Sequence, residues 1–265
     1  MDYTPVAYAS APTTMSLMGV RGTSHANPLM VLVPSPLVGP GSWTHLQQAL
    51  AQLGWDAVAS VDLPNSAGPM AYWERTVGGV ERTLREVAAD RAVVLVGYSG
   101  AGALLPAIGR AINQRVAAYV FLDAGLPAGG RSRLDTMAVE GPDGAAFAIE
   151  LASALEAGHR YPEWTDEDLA PLVPDPERRR QLLAEVQPRG RDFWTEPLPI
   201  VEPWPDAPCG FLQFSEAYEC AADKARSLGW PVPHLPGSHF QHLVDERAVA
   251  QALRALLADL GRITS

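Results

Sequence analysis

Between Leu29 and Leu122 short apolar runs alternate with longer segments of helical period, and few folds accommodate that order. Leu29–Val33 is a compact uncharged run suited to a strand covered on both faces. A Pro/Gly-rich loop from Pro34 to Ser42 follows, then a helix to about Leu53 with Ser42 as its N-cap. Asp56–Val61 reads as a second strand ending in Asp62-Leu-Pro, and an amphipathic helix spans Ala71 to Ala89. Ala92–Val96 is a third strand, a helix runs from the turn at 97–102 to Gln114, and Val116–Leu122 is a fourth strand. Parallel strands need such crossovers, so the pattern predicts βαβ units around a mostly parallel sheet, an α/β fold. With 265 residues, 47% of them apolar, the chain has enough material for one large core.

The middle of the chain departs from this rhythm. From Gly129 to Val201 no strand-like run stands out; helical patterns lie near 144–157, 165–171 and 176–186. Strand character returns at Gly210–Phe214, followed by a helix at 219–228, a short strand at 231–235 and a closing helix from Asp245 to Leu260. The expected organisation is a tail or leading strand at 1–27, a core of 28–128 and 202–265, and a helical lid of 129–201 inserted before the penultimate strand. Trp164, Phe193, Trp194, Trp204 and the aliphatics of 146–155 would roof an apolar pocket or form the core of that insertion. The charge run Arg178–Arg180 reads as a solvated helix face.

Charge and cysteine content narrow the function classes. A net charge of −10 argues against nucleic acid or an anionic membrane surface as the main partner. Cys209 and Cys220 are the only cysteines, which leaves no disulfide framework and no Cys-rich zinc site. The first 20 residues lack the basic and apolar regions of a secretion signal, so a soluble cytoplasmic protein is expected. Ala92–Gly109 is uncharged over 18 residues, but its four glycines and Pro106 suit a strand, tight turn and helix better than a membrane span.

That turn carries the chemistry. Gly97-Tyr98-Ser99-Gly100-Ala101-Gly102 joins a buried strand to a helix, and a G-x-S-x-G turn of this kind lifts a serine hydroxyl above the sheet edge. Ala101 stands at the second glycine of the pattern. The helix N-terminus favours developing negative charge, and the Gly100 amide can donate to an oxyanion. A dinucleotide site is the rival, with Gly100-Ala-Gly102 opening the helix and Asp123 about 20 residues on. Against it, Leu105 occupies the third glycine position, and this βα unit is not the first of the sheet. An activated serine needs a base. His239, in Gly-Ser-His-Phe between the last short strand and the final helix, is the candidate; His242 reads as a solvated or pocket-lining histidine, and a His239/His242 metal pair lacks a third ligand.

The strand at 29–33 with its Pro/Gly loop, the elbow at Ser99, the helical insertion and His239 before a last helix resemble the α/β-hydrolase superfamily, in its small-lid esterase, thioesterase and hydroxynitrile-lyase-like branch. The resemblance covers about residues 28–262 and implies Ser99 as nucleophile and His239 as general base, with no metal or organic cofactor. In most members the triad acid follows the penultimate strand; there the spacing meets Tyr218, with Glu216 two residues earlier and Glu219 next to it. The family's other acid position follows the preceding strand, where Asp123 stands, so Glu216 and Asp123 both qualify. The family's His-Gly-x oxyanion loop is replaced by Pro34-Ser35-Pro36, which puts Pro36, a residue with no N–H, at the donor position. Either Leu37 donates instead, or the Ser35 hydroxyl helps, or that half of the hole is missing, with Tyr98 beside it on the substrate side.

The resemblance implies a serine hydrolase of an ester, thioester or lactone of a small apolar molecule. Two other uses of the fold accompany it: cyclisation, acyl transfer or C–C cleavage by the same residues, and a non-catalytic small-molecule-binding homologue. The expected partner is a small molecule, with neither nucleic acid nor membrane.

Overall fold

The structure, a computed structural model, describes residues 27–55, 58–60, 70–87 and 91–263. The tail or leading strand anticipated before Asn27 and the Asp62-Leu-Pro end of the second strand lie outside the described residues. Among the described residues five strands, β1 (Leu29–Val33), β2 (Val58–Ser60), β3 (Val93–Ser99), β4 (Val116–Ala124) and β5 (Cys209–Leu212), form one sheet in the order β2-β1-β3-β4-β5. Every pairing is parallel. With helices on both faces, β1 and β3 are buried along their whole length, which is why they read as unbroken apolar runs.

The two faces are sorted by residue parity. Leu29, Val31 and Val33 of β1 join Leu95, Tyr119, Phe121 and Phe211 beneath α2 (Tyr72–Val87) and α3 (Leu105–Ala111). Met30 and Leu32 face the other way, with Val94, Val96, Val120 and Leu212, toward α1 (Thr44–Gln52) and the closing helix Glu246–Ile263. Val249, Leu253, Leu256 and Leu260 of the closing helix recur every three or four residues and supply the stripe that covers the sheet. Ser42 does not cap α1: it sits in a 3-10 turn, Pro40–Trp43, and its hydroxyl donates to the Gly39 carbonyl.

Five helices separate β4 from β5: α4 (Arg133–Met137), α5 (Gly141–Glu156), α6 (Asp166–Leu169), α7 (Pro176–Ala184) and α8 (Arg191–Thr195). The five-residue helices α4 and α8 are too short to show periodicity in sequence; α4 is set instead by a capping box between Ser132 and Asp135. Trp204 does not join the roof of a pocket. It packs edge-on against Tyr119 and Trp230 on the α2/α3 side of the sheet. The arginines of α7 are paired rather than merely solvated, Arg178 with Glu246 at 2.7 Å and Arg179 with Asp166 at 2.8 Å. After β5 come α9 (Glu219–Ser227), α10 (Gln241–Val244) and α11 (Glu246–Ile263).

The short strand expected at 231–235 is an extended segment lying parallel to β5. The amides of Phe211 and Gln213 donate to the carbonyls of Pro231 and Pro233, but these prolines have no N–H to return, and only the Gln213–His234 bridge forms. Among the described residues no helix is long and apolar enough to cross a membrane.

His242 is neither solvated nor in the pocket. It is fully buried against Trp43 and Tyr98, and neither ring nitrogen has a hydrogen-bond partner. Burial, and secondarily the charge of His239, push its pKa down to about 3. The unfolded chain takes up a proton at this site below about pH 6.5 and the folded chain does not. Between about pH 6.5 and 3 His242 therefore costs up to about 1.4 kcal/mol of stability per pH unit, a contribution absent above that window. Urea unfolding of the wild type and of His242→Leu at pH 7.5 and pH 5 should show the wild type losing more stability on acidification; parallel losses would contradict the assignment.

Candidate active site

Ser99 ends β3 with φ of +56°, in the left-handed region that non-glycine residues seldom adopt. The residues around it explain how the chain tolerates so sharp a turn. A Cβ on Gly97 would come within 3.0 Å of the Gly102 Cα, and one on Gly102 would stand 2.4 Å from the Gly125 carbonyl oxygen. Both positions are closed to any side chain. Ala101 faces the core instead, fully buried, with its amide donating to the Tyr98 carbonyl, so a methyl fits where the motif usually has glycine.

The partner strand carries a second strained residue at the same edge. Tyr98 pairs with Leu122 but Ser99 pairs with Ala124, so Asp123 is the extra residue of a bulge, and its φ is +42°. The bulge leaves the carboxylate fully buried, where it accepts from the amides of Phe214 (2.8 Å) and Ser215 (3.1 Å) and from the Ser215 hydroxyl (2.7 Å). The fourth donor is His239, whose Nδ1 lies 2.8 Å from Asp123 Oδ2. That bond leaves Nε2 as the nitrogen able to take a proton. The imidazole is held flat between two phenol rings, Tyr98 at 4.6 Å and Tyr218 at 4.9 Å between centroids, both within 22° of parallel.

Among the described residues neither of the other two candidate carboxylates hydrogen-bonds His239, although both border the same cavity. Glu216 opens a 3-10 turn, Glu216–Tyr218, and is exposed; Glu219 binds Gln213 and Arg226. Three residues per turn set positions 216 and 218 on different sides, so Tyr218 rather than Glu216 points at the serine. Its hydroxyl lies 3.1 Å from Ser99 Oγ, and among the described residues no hydrogen bond joins Ser99 to His239. Tyr218 has no obvious signal in the sequence beyond occupying the place where an acid was expected. Burial holds its phenol well above the ordinary tyrosine pKa, so it stays neutral. Tyr98, 1% exposed, supports His239 from beneath and donates to the His239 carbonyl.

The loop after β1 lies across the elbow, with Pro36 close enough that a Cβ on Gly100 would touch it at 3.3 Å. The Leu37 amide does not point into the site as a free donor; it donates to Ser35 Oγ at 3.3 Å. Arg189, from the insertion, is buried and donates from Nε to the Pro36 carbonyl at 3.0 Å, while the Gln187 amide donates to the Leu37 carbonyl at 2.8 Å. Burial lowers the Arg189 pKa, yet it remains a cation. A cavity of about 710 Å³ opens over Ser99, Gly100, Ser35 and His239 and is walled by Phe147, Tyr161, Trp164, Phe193 and Trp194 of the insertion. Its lining is mainly apolar, with polar side chains both around Ser99 and on the insertion, among them Arg133, Thr136 and Glu140.

Because the elbow is closed by backbone contacts, Gly102→Ala should lower stability by about 1–3 kcal/mol. Ala101→Gly, which only frees the backbone, should cost about 1 kcal/mol or less. Equal shifts in thermal or urea unfolding would contradict this packing.

Comparison with known proteins adds the family. A sequence profile of the Alpha/beta hydrolase family matches residues 30–256. No curated protein matches the chain in sequence. Among solved structures, an extracellular α/β-hydrolase from a Paenibacillus species, described as sharing structural and functional homology with tobacco salicylic acid binding protein 2, superposes with a TM-score of 0.69 at 16% identity, covering 85% of this chain and 97% of its own. A variant of tomato methylketone synthase I complexed with beta-ketoheptanoate gives 0.65 at 16% identity, over 88% and 98%. Polyneuridine aldehyde esterase gives 0.62 at 18%, over 88% and 99%. At such identities these likenesses are of fold alone, whereas the profile match spans most of the chain: the protein belongs to the alpha/beta hydrolase family.

Proposed function

We propose that the protein is a serine-dependent hydrolase of an ester, thioester or lactone of a small apolar molecule, working through Ser99, His239 and Asp123. The observation that carries this is the hydrogen bond of 2.8 Å between His239 Nδ1 and the buried Asp123, beside a serine raised on a strained elbow into the same cavity. Ser99 Oγ attacks the carbonyl carbon, its proton passes to His239 Nε2, and His239 returns it to the leaving group; water then releases the acyl group by the same exchange. Asp123 keeps the imidazole oriented and stabilises its cation. The Gly100 amide, at the start of the helical segment, faces the oxyanion.

Residues 129–201 are a lid: their aromatic side chains wall the cavity, and Arg189 and Gln187 tie them to the loop that flanks the elbow. A mainly apolar wall favours a substrate whose bulk is hydrocarbon. A second reading rests on the Ser99–Tyr218 bond. A serine held by a tyrosine suits a C–C cleavage, acyl-transfer or cyclisation reaction on the same residues, and one structural neighbour is a methylketone synthase complexed with a β-keto acid.

Turnover of p-nitrophenyl butyrate tests the first reading. Ser99→Ala should lose it, Asp123→Asn should lower kcat by about 10⁴-fold, and Glu216→Gln should stay near wild type. Glu216→Gln losing as much as Asp123→Asn, or activity persisting in Ser99→Ala, would sink the proposed roles.

A further inference from the structure

The oxyanion site has one backbone donor fewer than acyl transfer ordinarily uses. Pro36, at the expected donor position, has no N–H, and the Leu37 amide is spent on Ser35 Oγ. The Gly100 amide remains. Tyr218 places a neutral phenol 3.1 Å from Ser99 Oγ. The ring cannot drift, because it stacks on His239 and the 3-10 turn that carries it follows Ser215, which is pinned to Asp123.

We propose that Tyr218 is a catalytic residue, its hydroxyl serving as the second hydrogen-bond donor to the oxyanion in place of the missing loop amide. The inference rests on the serine-hydrolase reading above. In the resting site the phenol pairs with Ser99. When Ser99 Oγ bonds to the carbonyl carbon, the C=O π pair moves onto oxygen and the serine proton goes to His239 Nε2. The new oxyanion lies two bonds from Oγ, within reach of a hydroxyl already in contact with it. Tyr218 keeps its proton and donates a hydrogen bond, and burial suits it to this by keeping it protonated. Expulsion of the leaving group restores the carbonyl and returns the phenol to Ser99 once deacylation is complete.

The substrate class follows from the same geometry. With Pro36 packed against Gly100 and the Tyr218 phenol against Ser99 Oγ, the space around the oxygen is narrow, which favours an unhindered acyl carbonyl, such as a straight-chain ester or thioester, over one branched at its α-carbon.

Steady-state kinetics with p-nitrophenyl butyrate and its α-branched isomer p-nitrophenyl isobutyrate test this, on wild type, Tyr218→Phe, Ser35→Ala and Ser99→Ala. Rates of the three proteins that keep Ser99 are referred to the fraction that a fluorophosphonate titrates, and that of Ser99→Ala to the fraction folded by circular dichroism, so a partly unfolded variant is not mistaken for a slow one. Tyr218→Phe keeps the stacked ring and loses only the hydroxyl. It should lower kcat about 10²–10³-fold with KM little changed, Ser35→Ala should cost much less, and wild type should prefer the straight-chain ester. A Tyr218→Phe that matches or exceeds wild type would show the phenol to be only a latch on Ser99, and a loss confined to KM would make it only a binding contact; either overturns the inference while the hydrolase reading stands. Wild-type turnover that survives Ser99→Ala overturns both.

Discussion

Asp123 is fully buried at the end of β4 and receives four hydrogen bonds, from two amides, one hydroxyl and one imidazole. A carboxylate so far from water is tolerable only when its lone pairs are met, because an unpaired buried charge costs several kcal/mol. The chain segments that meet it are therefore fixed by it. Phe214 and Ser215 are held where β5 ends, the turn carrying Tyr218 begins from that anchor, and the loop of His239 is drawn over the sheet edge. One buried carboxylate thus links the end of the sheet to two of the side chains gathered at Ser99, Tyr218 and His239.

The edge where this happens is strained on both strands. Ser99 and Asp123 each occupy the left-handed region, and the bulge between β3 and β4 lies between them. Strain of this kind persists only where the surroundings over-determine it. Here the closed packing at Gly97 and Gly102 and the four bonds to Asp123 do so. The insertion contributes too: Arg189 and Gln187 hydrogen-bond the Pro36 and Leu37 carbonyls, so the cavity wall is tied to the loop that flanks the elbow.

Much of this was legible in the sequence, for reasons that can be named. Strands covered on both faces read as continuous apolar runs, and a serine flanked by small residues between a strand and a helix has few structural homes, so the sheet, the elbow and His239 follow from pattern. Which carboxylate lies against His239 did not, because it depends on a one-residue bulge. In unbroken alternation Asp123 would share a face with Tyr119 and Phe121, and no residue type at 122–124 announces the shift. Tyr218 was hidden for a related reason: a 3-10 turn decides which of positions 216 and 218 faces the serine, and such short turns have no periodicity to read. His242, two residues from a polar loop in sequence, is buried by the ring packing of Trp43 and Tyr98, a tertiary contact that local pattern does not encode. The paired strand expected at 231–235 was limited by its own prolines.

The proposed hydrolase function requires Ser99 to be a nucleophile activated by a histidine that Asp123 orients. Labelling the intact protein with a fluorophosphonate, followed by peptide mapping of the product, measures this most directly. A single adduct on the peptide containing Ser99, formed rapidly by the wild type and slowly by His239→Ala, is the predicted result. A wild-type protein that stays unmodified, or an adduct on any other residue, would contradict it.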